Sequence, residues 1–164
     1  MRKLKKQIKA VAITASLAVC TQLSAANLSD KNIYAGFQSS WPSHGLSVKM
    51  DFTDKITGQA VVGFLGDLHN YSVRGLYKFT KERFYNMYGY GSIGLWTWDS
   101  DYVGWEDESV VGIGGGAGIE YDLRGLDSSF IPLFVNAELG LNIASFDHYD
   151  FSSIGIGVGL HYKF

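Results

Sequence analysis

Residues 153–164 read Ser-Ile-Gly-Ile-Gly-Val-Gly-Leu-His-Tyr-Lys-Phe and alternate with a period of two. Ile154, Ile156, Val158, Leu160, Tyr162 and Phe164 fall on one side of an extended strand, and Gly155, Gly157, Gly159, His161 and Lys163 on the other. One face is bulky and apolar to the last residue, whereas the other is small or charged. A strand with lipid outside it and a narrow polar lumen inside needs that division.

The same alternation recurs along the chain and predicts strands near 31–41, 44–53, 58–66, 70–80, 84–98, 109–123, 131–145 and 152–164. The second opposes Leu46, Val48, Met50 and Phe52 to Ser47, Lys49, Asp51 and Thr53. The seventh opposes Leu133, Val135, Ala137, Leu139, Leu141 and Ile143 to Asn136, Glu138, Gly140 and Asn142. The fifth is less regular, with Tyr88 and Tyr90 on the face of Asn86 and Ser92, the pattern of a bulge or a register slip. Connections are short and rich in turn formers; the longest runs from Asp99 to Glu108. Parallel pairs need long crossovers, so the expected architecture is all-β: an eight-stranded antiparallel up-and-down transmembrane β-barrel.

Composition agrees, with 20 Gly, 10 Tyr and 10 Phe against 2 Pro. Residues 1–26 read as a secretory signal: Arg2, Lys3, Lys5, Lys6 and Lys9, then an apolar run from Ala10 to Cys20, then Ser24-Ala25-Ala26 for cleavage. That run is too short to span a bilayer as a helix, which takes about 20 residues. Cys20 offers a rival, a lipid-anchored chain, but Val19 stands where a lipoprotein peptidase prefers Gly, Ala or Ser. The barrel domain is then 27–164, without cysteine. The signal takes five of the 14 basic residues and none of the 16 acidic ones, so the domain carries −7, which disfavours nucleic acid.

An even strand number places both termini at one end. Trp41 closes strand one, Trp96 and Trp98 close strand five, and Trp105 follows in the next loop. All four therefore belong to the opposite rim and are expected to form an outer aromatic belt, as amphipathic rings do at membrane–water boundaries.

This pattern over 27–164 resembles the small eight-stranded outer-membrane barrels of Gram-negative bacteria, the OmpA transmembrane-domain and OmpX-like group. The terminal Gly-Val-Gly-Leu-His-Tyr-Lys-Phe164, through Tyr162 and Phe164, looks like the assembly signal read by the barrel-assembly machinery. The resemblance implies the outer membrane as location. It also implies transit with periplasmic chaperones, contact with outer-membrane lipid and lipopolysaccharide, and a monomer. The outer loops are shorter than in adhesive relatives, which argues against an adhesin.

The lumen of such a barrel is just wide enough for side chains to fill it. On this register it receives Lys49, Arg74, Lys78 and Lys163 against Asp51, Glu120, Asp122 and Glu138. Four of each sign suit a salt-bridged plug, completed by Asn136, Asn142 and His161, better than a charge-selective pore. A narrow path for small solutes or ions is the alternative. Gly112, Gly114, Gly116 and Gly118 share a face and would leave room for Arg and Lys side chains. Their nucleotide-loop-like spacing to Ala117 has no helix after it, so it carries no weight.

Asp99, Asp101, Glu106, Asp107 and Glu108 read as a solvated loop, with divalent-cation bridging to lipopolysaccharide phosphates as the sharper alternative. Some small outer-membrane barrels modify lipid A with a His–Ser–acid set. Here G-x-S-x-G is absent, and only Ser43, His44 and a carboxylate converging at the mouth would make that chemistry. A lipocalin-like soluble binder would need an apolar interior, the reverse of this charge placement. The expectation is a non-enzymatic barrel with no cofactor and no metal.

Overall fold

Bulky residues alternating with small or polar ones become eight strands because each face then meets one environment throughout its length. The structure is a computed structural model and describes residues 31–40, 43–65, 68–98, 108–145 and 150–164. The signal segment, Trp41, Trp105 and acidic residues 99–107 lie outside the described residues. The strands are β1 (Ile33–Ser40), β2 (Ser43–Asp51), β3 (Ile56–Leu65), β4 (Leu68–Lys81), β5 (Tyr85–Trp98), β6 (Glu108–Asp122), β7 (Leu133–Ser145) and β8 (Asp150–Lys163). Every neighbour is antiparallel, and β1 closes onto β8, so the sheet is a closed up-and-down barrel. At the seam Gly36 faces His161, and the Phe164 N–H donates to the Ile33 carbonyl at 2.9 Å. Closure leaves no strand edge to pair with another chain.

Most strand boundaries differ from expectation by one or two residues, and two of the differences have a local cause. β3 begins at Ile56, opposite Tyr77, because Thr53 makes a tight turn: its hydroxyl accepts from the N–H groups of Lys55 and Ile56. β7 begins at Leu133 because Pro132 has no N–H to give, although its carbonyl accepts from Lys163. The irregularity expected in strand five lies in its partner. The β4–β5 ladder shifts between Lys78 and Thr80, leaving Phe79 as the extra residue, while β5 itself alternates normally. Among the described residues Gly45 is the one position that demands glycine by its dihedrals, at φ 146°; a Cβ there would also strike the Val62 carbonyl.

The faces sort by polarity against the habit of water-soluble proteins. Among the described residues, eighteen polar or charged side chains are buried against six apolar ones. Leu46, Val73, Val111, Leu139 and Ile156 stand exposed on the outer wall. Val61 and Leu76 are the aliphatic exceptions inside. An interior of this kind is held by hydrogen bonds rather than by apolar burial.

Candidate functional site

Strand alternation sends every second residue of each strand inward, and those side chains fill the barrel in tiers. Nearest the termini, Asp51 on β2 accepts from Lys78 Nζ at 2.8 Å, Thr57 Oγ1 at 2.5 Å, Tyr34 Oη at 3.0 Å and Asn32 Nδ2 at 3.2 Å. One turn of the wall further in, Lys49 meets Glu120 at 2.6 Å, both almost fully buried. The central tier gathers on Glu138. Its Oε2 accepts from Arg74 Nη2 at 2.6 Å, Ser40 Oγ at 2.8 Å and Gln38 Nε2 at 3.2 Å. Its Oε1 accepts from Tyr88 Oη at 2.6 Å and Asn136 Nδ2 at 3.0 Å. Five donors saturate both oxygens, which offsets the cost of burying the charge.

Six of the eight charged residues expected in the lumen therefore meet as three ion pairs: Lys78–Asp51, Lys49–Glu120 and Arg74–Glu138. The other two behave differently. Asp122 turns to Arg124, two residues on, which grips it with Nε and Nη2 at the rim. That hydrogen bonding raises Arg124 from its ordinary value, so the guanidinium stays charged. Lys163 is half-buried at the same rim, with Nζ 5.9 Å from the centre of the Tyr34 ring. The expected partner His161 bonds Ser47 Oγ through Nε2 at 2.9 Å, and Asn142 is buried on β7.

Counting charges alone misses the neutral half of the network. Gln38, Ser40, Ser47, Thr57, Gln59 and Tyr88 each make buried or part-buried hydrogen bonds in it. Their signal was parity: Tyr34, Gly36, Gln38 and Ser40 alternate along β1 just as the charged residues do along β2.

Gly116 and Gly118 make room for rings rather than cations, whereas a Cβ on Gly114 would meet the Asn142 side-chain oxygen. A Cβ on Gly118 would lie 2.8 Å from the Tyr88 ring, and one on Gly116 would lie 2.9 Å from Tyr90 Oη. Gly140, opposite Gly116, is likewise covered by the Tyr90 hydroxyl. β6 and β7 thus offer a bare floor on which two tyrosines of β5 lie, and Arg74 stacks on the Tyr90 ring at 4.0 Å. Arginine reaches its acid over an aromatic surface rather than through a glycine gap.

The outer aromatic belt needs a correction at Trp96. It is 2% exposed and faces the interior, packed over Gly94 and close to Ser72. Its place at the end of a strand suggested a rim, but it shares parity with Tyr88, Tyr90 and Gly94 and so turns inward. Trp41 and Trp105, and the side chain of Trp98, lie outside the description. Tyr162 and Phe164 are outward and pack edge to face, ring centres 5.0 Å apart. Ser43 and His44 are consecutive on β2; Ser43 is buried and His44 faces the other way, so they do not converge. Among the described residues no cluster of His, Cys, Asp and Glu could hold a metal ion.

The fold is shared with the N-terminal β-barrel domain of Pseudomonas aeruginosa OprF, at TM-score 0.60 and 15% identity over 82% of this chain and 96% of that one. The attachment invasion locus protein Ail of Yersinia pestis, in its crystal structure, gives TM-score 0.46 at 17% identity over 82% of this chain and 97% of that one. The Y. pestis outer membrane protein Ail in a phospholipid bilayer nanodisc gives 0.44 at 16%, over 82% and 98%. No protein-family model and no curated protein matches the chain. Identities this low speak for the fold alone.

Proposed function

We propose that the chain is an integral outer-membrane β-barrel protein whose lumen is closed by its own side chains. Its role is structural in the envelope or that of a surface for interaction, without catalysis. One observation carries this reading: the aliphatic wall faces out and the ion pairs face in. Hydrocarbon accepts Leu46, Leu139 and Ile156, which are 59–76% exposed on that wall, whereas water would not favour so continuous an apolar girdle. The described strands pair with neighbours on both sides around a closed sheet, the arrangement that lets strands cross lipid.

In this reading residues 1–26 export the chain and are removed, and Tyr162 and Phe164 present the assembly signal to the barrel-assembly machinery. Periplasmic chaperones escort the unfolded chain, and lipid and lipopolysaccharide surround the finished monomer. The fold hosts several unrelated functions, so it is the filled lumen that argues against a wide pore. Planar-bilayer recording of the purified, refolded protein tests this. No measurable current is expected; steady unit conductance overturns the plug.

A second reading, a narrow path for water or small solutes, has a specific basis. Gln59 Oε1, Ser72 Oγ and Arg74 Nη1 are buried without a protein hydrogen-bond partner, and such atoms are ordinarily met by internal water. Osmotic swelling of vesicles containing the protein, without ion conductance, would favour it.

A further inference from the structure

The turn between β6 and β7 departs from what a water-facing turn needs. It runs from Leu123 to Pro132 and exposes Leu126, Phe130 and Ile131, with Leu126 71% exposed. The turns between β2 and β3 and between β4 and β5, at the same end, are shorter. Yet this turn is built, not loose. Leu126 N–H donates to the Leu123 carbonyl, Phe130 N–H to the Asp127 carbonyl, and Ser129 N–H to the Asp127 carboxylate at 2.8 Å.

Its placement is set by Gly125. A Cβ there would fall 2.5 Å from Tyr121 Oη and 2.7 Å from Phe84 Cγ, so the turn rests against Phe84 and Tyr121. Tyr121 shares the outward parity of Ile113 and Ile119, and Tyr85, Met87 and Ile119 are exposed beside it. The apolar wall therefore continues into the turn. Arg83 lies over the Phe84 ring at 4.9 Å, and among the described residues no carboxylate pairs with it, whereas Arg124 is engaged by Asp122.

We propose that Arg83, Phe84, Leu126, Phe130 and Ile131 form an anchor for the phospholipid headgroup zone at the end of the barrel that carries the termini. The apolar side chains enter the acyl boundary and Arg83 takes a lipid phosphate. Continuity with the wall favours lipid over a protein partner, and an unpaired guanidinium on an aromatic ring suits an anionic headgroup. This inference rests on the membrane-embedded reading above.

The absence of cysteine after Cys20 makes a clean test. In a C20S full-length chain, nitroxide labels are placed singly by L126C, F130C and I131C. I156C serves as the wall control and S129C as the polar-turn control. The proteins are refolded into vesicles of phosphatidylethanolamine and phosphatidylglycerol. Oxygen collision rates above nickel-chelate rates are expected at 126, 130 and 131, at a depth between the two controls. R83Q should move the L126C label toward water. Labels at 126, 130 and 131 as aqueous as S129C, with I156C deep, overturn the anchor and leave the membrane reading standing; an aqueous I156C sinks both. Dipolar broadening between copies at L126C overturns it in favour of a self-interface, and an unmoved label in R83Q overturns the phosphate contact.

Discussion

Arg74 on β4 and Glu138 on β7 meet inside the barrel at 2.6 Å, although neither strand touches the other. The pair is a strut: it ties opposite arcs of the wall through the lumen, and Ser40 and Gln38 of β1 attach to the same carboxylate oxygen. Removing one end leaves the other buried and charged, which is worse than removing both.

Glu138→Ala should therefore lower stability by about 3–5 kcal/mol, the usual cost of breaking a buried pair. The apolar double replacement R74M/E138L should cost less than the sum of the two single changes. Urea unfolding in vesicles, followed by the electrophoretic mobility of the folded barrel, measures both. Equal and additive losses would mean the strut is not a coupled pair.

Trp96 inside the lumen has an optical consequence. In a variant retaining it as the sole tryptophan, brominated acyl chains should leave its emission unquenched, because the ring is 2% exposed and lies over Gly94. Trp96→Ala should cost about 3–5 kcal/mol, as truncation of a large buried aromatic does. Strong quenching by brominated lipid would put the ring on the wall.

Ile156 is 76% exposed and pairs with Leu139 near mid-strand, where an embedded wall would be deepest. Ile156→Arg should then destabilise the barrel in vesicles by about 2–4 kcal/mol. At a water-exposed position the same change would stay within about 0.5 kcal/mol. The unfolding midpoint of this single variant separates the two environments.

Glycines divide by what stands beside them. A Cβ on Gly116 would collide with the Leu139 carbonyl and the Gly140 Cα, which are backbone and cannot step aside. Gly116→Ala should break β6–β7 pairing and impair folding. Gly75 has nothing within 4 Å of a Cβ, so Gly75→Ala should be neutral or stabilise by about 0.4–1 kcal/mol through the unfolded chain. Refolding yield and unfolding midpoints of the two variants check the contrast.

Period-two alternation carried most of this architecture, since inward and outward residues differ in size and charge along β2, β7 and β8. Ion-pair partners within the lumen were less legible. Lys49 and Glu120 lie on β2 and β6, and only the tilt and closure of the sheet bring them together. Asp122 is buried beside Glu120 on the inward face of β6, but its pairing with Arg124 depends on a 3₁₀ turn at Leu123–Gly125 that alternation does not report. Trp96 shows the opposite case. Parity with Gly94 and Tyr88 points inward, position at the strand end points to the rim, and the side chain follows parity.

The β1–β8 seam sets a condition on how the molecule comes into being. Ile33 and Phe164 are joined by a backbone hydrogen bond, yet they sit at opposite extremes of the barrel-forming sequence. Until the final strand arrives, β1 and β7 both present rows of unmatched amides and carbonyls, which hydrocarbon does not tolerate. For the membrane-embedded barrel proposed above, insertion is thus all-or-none: a chain ending within β8 has no partially sealed form in which to wait in lipid.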